Sequence, residues 1–316
     1  MDGSRPVFDG FHGDWSFWVN PEGLLAELSS CAFICDTNVL LRPYKVVRRE
    51  ERDVLLRALE EVADRMWVPH QVMVEVDNMR SGAVAAAQRD IANVADAVLT
   101  DFRKIEMRCR RGFHDWGTDR GEAQLALRNF RAAAQRLVQF IREQGDSHDL
   151  VEEDQQAFVE DRLKRLVQGR VWPDPGQQKR RAWEEDGKNR ESERRPPVWA
   201  DRKKPGDRKY NDGLIWQEIK EFASECPSTR PIVLVTLDLK DNGWVEHRNG
   251  RPNGAHSSLV AELNRDAGAI FRVISTEELI AYAETKLYDS PDVSTSDCGP
   301  ADVEGALRPL GSHLFN

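Results

Sequence analysis

Apolar and polar residues follow two patterns along this chain, short continuous apolar runs and longer stretches with helical spacing. The run Ala32–Cys35 is apolar throughout and stops at three polar residues, which predicts a buried strand. Three further runs predict strands of the same kind: 66–68, 231–235 and 270–274. Three segments repeat apolar residues every three or four positions: 47–64, 212–225 and 257–265. Strands that alternate with helices predict an α/β fold with a parallel sheet.

The middle of the chain has a different pattern. Nearly every residue of 83–168 fits helical spacing, and breaks near 112–121 and 145–148 divide the segment into three or four long helices. We expect this segment to be a helical insertion that forms an arm or lid between two halves of an α/β domain, 1–82 and 206–288. A capping box at Ser275–Glu278 predicts the start of the last helix in the second half.

Two segments stand out by charge. Prolines and dense charge at 169–205 predict an extended basic loop with a short helix at most. From Gly169 to Tyr210 there are thirteen Lys and Arg against eight Asp and Glu, whereas the whole chain has a net charge of −9. The acidic tail 289–316 is rich in Ser, Pro and Gly and is expected to be disordered. Any contact with nucleic acid must therefore come from a local basic patch.

Composition narrows the expected location. The first thirty residues lack the basic start and apolar stretch of a secretory signal, and no apolar run approaches the roughly 20 residues that cross a bilayer. Five cysteines in 316 residues fit a reducing compartment better than a disulfide framework. We therefore expect a cytoplasmic protein with no membrane partner.

Four acids are predicted to meet at one edge of the sheet. Asp36 and Asp238 follow apolar strands, and Glu75 and Asp212 lie near the starts of helices. In an open parallel sheet, strand ends and helix starts converge at the carboxyl edge. A single Asp after a strand is more often a cap or turn residue, so the hypothesis depends on the four acids together. A divalent cation removes the repulsion between clustered carboxylates, and ligands that are all oxygen favour Mg²⁺ or Mn²⁺ over zinc.

The order of several short motifs resembles the PIN-like domain family, in particular large bacterial members with a helical insertion. The resemblance spans Trp15 to Glu284 and is carried by Asp36–Leu41, Trp67–Val72 leading to Glu75, Pro196-Pro197 with Asp201, Lys203 and Lys204, Tyr210–Trp216, and Val233–Thr236 with Asp238, Lys240 and Trp244. It implies a parallel sheet flanked by helices. It also implies hydrolysis of phosphodiester bonds, most often in RNA.

The resemblance implies a role for each motif residue. The implied catalytic and metal-binding acids are Asp36, Glu75, Asp212 and Asp238, and the auxiliary groups that orient them are Asn38 and Thr236. The sequence departs from the family pattern after the fourth strand of that pattern, where Leu237 replaces a further acid and Asn242-Gly243 loosens a Lys, acid, Trp run. Asp241 therefore competes with Asp238 for the place of the fourth metal ligand.

The basic segment is the candidate for substrate contact. Six cations are predicted to bind nucleic acid: Arg190, Arg194, Arg195, Arg202, Lys203 and Lys204. Trp183 and Trp199 could stack on bases of a single strand. A solvated charged loop is the alternative interpretation, because acids are mixed with these cations.

Three functions are compatible with these features. The first is a metal-dependent endoribonuclease, and the resemblance suggests a toxin or a phage-defence effector as its setting. The second is a catalytically inactive module that binds nucleic acid or a protein, and the third is a metal-dependent nucleotide phosphohydrolase. The expected partners are nucleic acid, with RNA favoured over DNA, and a second copy or another protein bound through the helical insertion.

Overall fold

A parallel sheet of four short strands forms the centre of the molecule. The computed structural model describes residues 28–148, 150, 153–226 and 231–288. Six strands occur in these residues: β1 (Ala32–Cys35), β2 (Met66–Trp67), β3 (Ile232–Val235), β4 (Val245–Arg248), β5 (Arg251–Ala255) and β6 (Phe271–Ile274). Strands β2, β1, β3 and β6 pair in that order, all parallel. Every residue of β1 and β3 is buried, as expected for central strands that are covered on both faces.

Helices flank this sheet. The described residues form ten α-helices: α1 (Thr37–Leu41), α2 (Arg49–Glu61), α3 (His70–Arg80), α4 (Ala83–Asp115), α5 (Arg120–Asp146), α6 (Glu153–Val167), α7 (Gly176–Ser192), α8 (Asn211–Glu225), α9 (Ser257–Ala267) and α10 (Thr276–Tyr288). Helix α2 packs against α10, and α8 contacts α3, α7 and α9. Helix α8 therefore joins the elements that surround the carboxyl edge of β1 and β3.

The α/β pattern predicted from the sequence is confirmed, with small shifts at the ends of elements. The capping box is present: the Ser275 N–H donates to the Glu278 carboxylate over 2.6 Å, and the Glu278 N–H donates to Ser275 Oγ over 3.2 Å. The predicted helical insertion contains three helices, α4, α5 and α6. The division of the chain into domains stays a prediction, and the tail 289–316 lies outside the described residues.

The prediction of a loop with at most a short helix at 169–205 was wrong, because α7 is 17 residues long. The prolines lie before and after this helix, where they do not interrupt its hydrogen bonds. Ion pairs one turn apart, Arg180–Glu184 and Asp186–Arg190, support the charged sequence in helical form. Polar composition therefore hid a helix that has almost no apolar face.

The hairpin formed by β4 and β5 was not predicted. Its turn is Asn249-Gly250, and both residues have positive φ, 54° and 76°. An Asn-Gly pair is the usual sequence signal for such a two-residue turn. The signal was therefore present in the sequence, but the flanking strands carry too few apolar residues to stand out.

Helices α4 and α5 form a long antiparallel hairpin. With 33 residues, α4 extends over about 50 Å. The two helices pack through their own apolar side chains, and the Phe102 and Phe130 rings lie 4.8 Å apart. Helix α6 returns to the α/β unit, where Arg162 pairs with Asp53 and Glu60 of α2. No helix within the described residues is both long and apolar enough to cross a membrane.

Candidate metal and active site

Asp36 lies at the centre of the carboxyl edge. It follows β1 and caps α1, because its Oδ1 accepts a 2.7 Å hydrogen bond from the Thr37 N–H. Its Oδ2 accepts hydrogen bonds of 2.6 Å from both Asn38 Nδ2 and Thr236 Oγ1. The side chain is therefore held in one orientation by neighbours in α1 and at the end of β3.

The environment of Asp36 disfavours its charge. Burial, together with the charges of Glu75 and Asp238, outweighs the hydrogen bonds from Thr236 and Thr37 and raises the pKa of Asp36 to about 6. Relative to an ordinary Asp, this shift corresponds to roughly 3 kcal/mol of destabilisation of the charged form. The hydrogen bonds therefore orient this carboxylate without fully compensating its burial.

Thr236 and Asn38 link the end of β3 to Asp36. Thr236 Oγ1 accepts a 2.9 Å hydrogen bond from the Asp238 N–H while it donates to Asp36. Asn38 Oδ1 accepts a 2.9 Å hydrogen bond from the Leu237 N–H. These contacts place both predicted auxiliary residues between the two strand-end acids.

Glu75 approaches the same edge from the second turn of α3. Its Oε2 accepts a 3.0 Å hydrogen bond from Thr37 Oγ1, and its Oε1 accepts one of 3.1 Å from Gln71 Nε2. The start of α3 is capped from α8, since the Glu218 carboxylate accepts hydrogen bonds from the N–H groups of His70 and Gln71. Glu218 thus fixes the helix that carries Glu75.

Three further carboxylates come together beside Asp36. Asp201, Asp212 and Asp238 each offer an oxygen atom within 4.8 Å of the other two. Burial and the charges of Asp36, Asp201 and Asp238 raise the pKa of Asp212 well above its ordinary value, and Lys204 opposes this rise. We call these five acids the acid cluster, which comprises Asp36, Glu75, Asp201, Asp212 and Asp238.

Asp201 is the member of the acid cluster that the sequence did not identify as a ligand. It lies at the end of a 3₁₀ turn, Val198–Asp201, and only 2% of its surface is exposed. The signal in the sequence was its place in a motif shared with the PIN-like domain family. No strand or helix pattern pointed to it, because the turn reaches the cluster through tertiary packing alone.

Two lysines neutralise part of the acid cluster. Lys204 pairs with Asp201 Oδ2, and Lys240 Nζ lies 3.3 Å from Asp201 Oδ1 and 2.7 Å from Asp238 Oδ2. Burial raises the pKa of Asp201, but the hydrogen bond and charge of Lys204 and the charge of Lys240 hold it below its ordinary value. Asp201 is therefore compensated by these cations, whereas Asp212 is not.

Asp241, the alternative fourth ligand, lies outside this group of carboxylates. Its Oδ1 accepts a 2.9 Å hydrogen bond from the His247 N–H, and its Oδ2 accepts one of 2.9 Å from Asn242 Nδ2. Among the described residues, the metal-type grouping contains Asp238 and does not contain Asp241. The geometry favours Asp238 for this position.

Arg190 was predicted to contact nucleic acid, and the structure contradicts this prediction. Only 1% of its surface is exposed. Its Nε donates to Asp186 over 2.7 Å, its Nη1 donates to the Pro196 carbonyl over 2.8 Å, and its Nη2 pairs with Glu262. Arg190 is therefore a buried structural residue, and its hydrogen bonds connect α7 to α9 and to the turn that leads to Asp201.

The other predicted cations lie at the surface. Arg202 and Arg194 contact the Trp199 ring, with guanidinium carbons 4.3 Å and 5.4 Å from its centroid. Arg195 is partly exposed and pairs with Glu193, and Lys203 is exposed. These side chains follow the same loop that carries Asp201.

Comparison with known families agrees with this arrangement. A family model described as "PIN like domain" matches residues 32–259, which is more than half of the chain. The chain belongs to the PIN-like domain family. The match begins at β1 and includes all five acids of the cluster. No curated protein and no solved structure matches the chain.

PIN-like domains are generally nucleases and usually use divalent metals. The residues of this chain fit such a metal. The acid cluster offers carboxylate oxygens, which Mg²⁺ and Mn²⁺ prefer, and it has no histidine or cysteine among its members. The raised pKa values of Asp36 and Asp212 indicate buried carboxylates that a divalent cation would stabilise in their charged form.

Proposed function

We propose that this protein is a divalent-metal-dependent nuclease that hydrolyses phosphodiester bonds, with RNA as its substrate. The observation that carries the proposal is the convergence of Asp201, Asp212 and Asp238 within 4.8 Å, beside Asp36, in a PIN-like fold. Such a group of acids is costly without a cation. A divalent cation bound by these acids would offset their charge and attract the anionic phosphodiester.

The residues divide into ligands and orienting groups. Asp36, Glu75, Asp212 and Asp238, together with Asp201, would hold Mg²⁺ or Mn²⁺. When bound, a divalent cation polarises the phosphate and makes an attacking water more acidic. Thr236 and Asn38 keep the Asp36 carboxylate in place through their 2.6 Å hydrogen bonds, so the ligands are oriented before substrate arrives.

The surface beside the cluster would bind the polymer. Arg194, Arg202 and Lys203 are exposed, and the Trp199 ring lies against the two arginines. Cations next to an aromatic ring suit an unpaired strand, in which phosphates and exposed bases alternate. The preference for RNA, a setting as a toxin or phage-defence effector, and a partner bound through the helical insertion rest on the family resemblance and stay predictions.

Asparagine substitutions in the cluster test this function. Asp212→Asn and Asp238→Asn should each lower Mn²⁺-dependent cleavage of single-stranded RNA at least about 100-fold, because each removes a charged ligand. Asp241→Asn is the matched control and should cleave like the parent. Cleavage is measured on labelled RNA and DNA oligonucleotides, with circular dichroism to verify the fold. Equal cleavage by the parent and the two cluster variants would show that the proposed site is wrong.

The same assay separates the alternatives. Salt-dependent RNA binding that persists in EDTA, with no cleavage at any Mn²⁺ concentration, would indicate a binding module. Release of inorganic phosphate from nucleotides without cleavage of polymers would indicate a phosphohydrolase.

A further inference from the structure

Two lysine ammonium groups form ion pairs with carboxylate oxygens of the acid cluster. Lys204 follows Asp201 by three residues and pairs with its Oδ2, and Lys240 follows β3 and lies 3.3 Å from its Oδ1. Both oxygens of Asp201 are therefore bound to lysines. Lys240 also lies 2.7 Å from Asp238 Oδ2, so it bridges two acids of the cluster.

We propose that Lys204 and Lys240 exchange ligands during the reaction cycle. Before metal binds, their ammonium groups pair with carboxylates of the acid cluster. Once metal binds these carboxylates, the two lysines bind the scissile phosphate. This inference rests on the proposed nuclease function. It assigns a phosphodiester as the second ligand of these two lysines.

The geometry allows the exchange. The side chain of Asp201 is 1% exposed and fixed in the fold, whereas those of Lys204 and Lys240 are 45% and 56% exposed. Lysine has a flexible four-carbon stem, so its ammonium group can leave one oxygen for another without movement of the backbone. The acids are thus the fixed part of the site, and the lysines are its movable part.

The charges make the exchange favourable. The carboxylates of the acid cluster outnumber the two ammonium groups that pair with them, which leaves an excess of negative charge that repels a phosphate. A divalent cation would compete with the lysines for the same oxygens of Asp201 and Asp238. The displaced ammonium groups would then remain within a side-chain length of the cluster, where a phosphate oxygen is their nearest available acceptor.

The first experiment measures metal binding. Mn²⁺ is titrated by calorimetry into the full-length parent, Lys240→Gln, and the double variant with Lys204→Gln. Removal of the competing cation should tighten Mn²⁺ binding about fivefold for the single variant and more for the double variant. Lys188→Gln is the matched control, because Lys188 forms an exposed pair with Glu185 in the same basic segment.

The second experiment measures RNA binding in Ca²⁺ by fluorescence anisotropy, with a single-stranded 12-mer as the probe. The two variants that bind Mn²⁺ more tightly should bind RNA about five- to tenfold more weakly. The slope of log affinity against log salt should fall by about one for each lysine removed. Lys240→Arg keeps the charge and should restore most of the RNA affinity. Tighter Mn²⁺ binding by the Gln variants shows that they have not simply lost their fold.

The inference requires that the Lys variants bind Mn²⁺ more tightly and RNA more weakly than the parent. Unchanged or weaker Mn²⁺ binding in the Lys variants overturns it, as does unchanged RNA affinity. If the parent binds Mn²⁺ and cleaves RNA in these cases, the proposed function survives and the exchange alone fails. If the parent neither binds Mn²⁺ nor cleaves nucleic acid, both proposals fail together.

Discussion

At the scale of single residues, a charged residue type in the sequence does not reveal whether the side chain is buried or exposed. Arg190 and Arg194 lie in the same charged segment, yet Arg190 is buried and Arg194 is exposed. The difference arises because Glu262, 72 residues away, accepts a hydrogen bond from Arg190. Glu262 also accepts from Trp216 Nε1 over 3.2 Å and pairs with Lys220 over 2.9 Å. A buried arginine of this kind ties elements together and does not bind substrate.

The Glu262 network should give a measurable pH dependence. Burial raises the pKa of Glu262, but Arg190 and Lys220 outweigh burial and lower it to about 2. A pKa below the ordinary value stabilises the fold at neutral pH, and this contribution disappears as pH falls from about 4.5 to 2. Glu262→Gln should therefore cost about 3 kcal/mol in urea unfolding at pH 7, and the gap should narrow at acid pH.

A neighbouring acid on the same helix is the control for this prediction. Asp266 forms an exposed pair with Arg265, so Asp266→Asn should change the free energy of unfolding by less than about 1 kcal/mol. A gap between the parent and Glu262→Gln that stays constant down to pH 2.5 would contradict the assignment.

At the scale of elements, close packing between α7 and α8 positions the turn that carries Asp201 next to the acid cluster. Gly213 lies next to Asp212, and a Cβ at this position would lie 2.8 Å from Val198 Cγ2. A Cβ at Gly187 on α7 would lie 3.2 Å from the Tyr210 ring. The absence of side chains at these two glycines lets the helices approach, and this approach sets how near Asp201 comes to Asp212.

Gly213→Ala should disturb both stability and catalysis. The added methyl group overpacks buried Val198, which costs about 1–3 kcal/mol in thermal or urea unfolding. Because Val198 and Asp201 belong to one turn, Mn²⁺-dependent cleavage should fall about tenfold.

The same substitution at Gly145 of α5 serves as the control. Its Cβ would make an ordinary contact of 3.4 Å with Ile91, so Gly145→Ala should stabilise the protein by up to about 1 kcal/mol and leave cleavage unchanged. Full activity in Gly213→Ala would show that this crossing does not position Asp201.

At the scale of the whole molecule, the long hairpin and the α/β unit have separate cores. The main core includes residues of β1, β3, β6 and α8, together with Ala83, Val84 and three residues of α6. Five buried residues of the hairpin lie outside it: Ala87, Ala95, Phe102, Leu127 and Val138. Their burial comes from contact between α4 and α5, so the outer part of the hairpin contributes little to the core around the site.

Excision of the outer hairpin tests this separation. Replacement of residues 97–134 by a short Gly-Ser linker should leave the far-ultraviolet spectrum folded and Mn²⁺ affinity within about twofold of the parent. The helical circular dichroism signal should fall only in proportion to the number of residues removed. A variant that unfolds, or that binds Mn²⁺ much more weakly, would show that the hairpin stabilises the acid cluster.

Much of the fold was predictable because strands and helices leave local patterns. The strand Ala32–Cys35, the strand that ends at Val235 and the helix after Tyr210 followed from apolar spacing, and they place Asp36, Asp238 and Asp212 at one edge. Helix α7 escaped prediction because its stability comes from ion pairs and from contact with α8, neither of which produces an apolar period.

By itself, the sequence determined the strands of the parallel sheet, most of the helices and which acids follow the central strands, since these depend on neighbours close along the chain. Only the tertiary structure decided that Asp201 joins the acid cluster, that Lys204 and Lys240 pair with it, and that Arg190 is buried. These contacts join residues from separate segments, and close packing determines their distances. The Asp36 site is therefore readable from the sequence, whereas its charge balance is a property of the folded molecule.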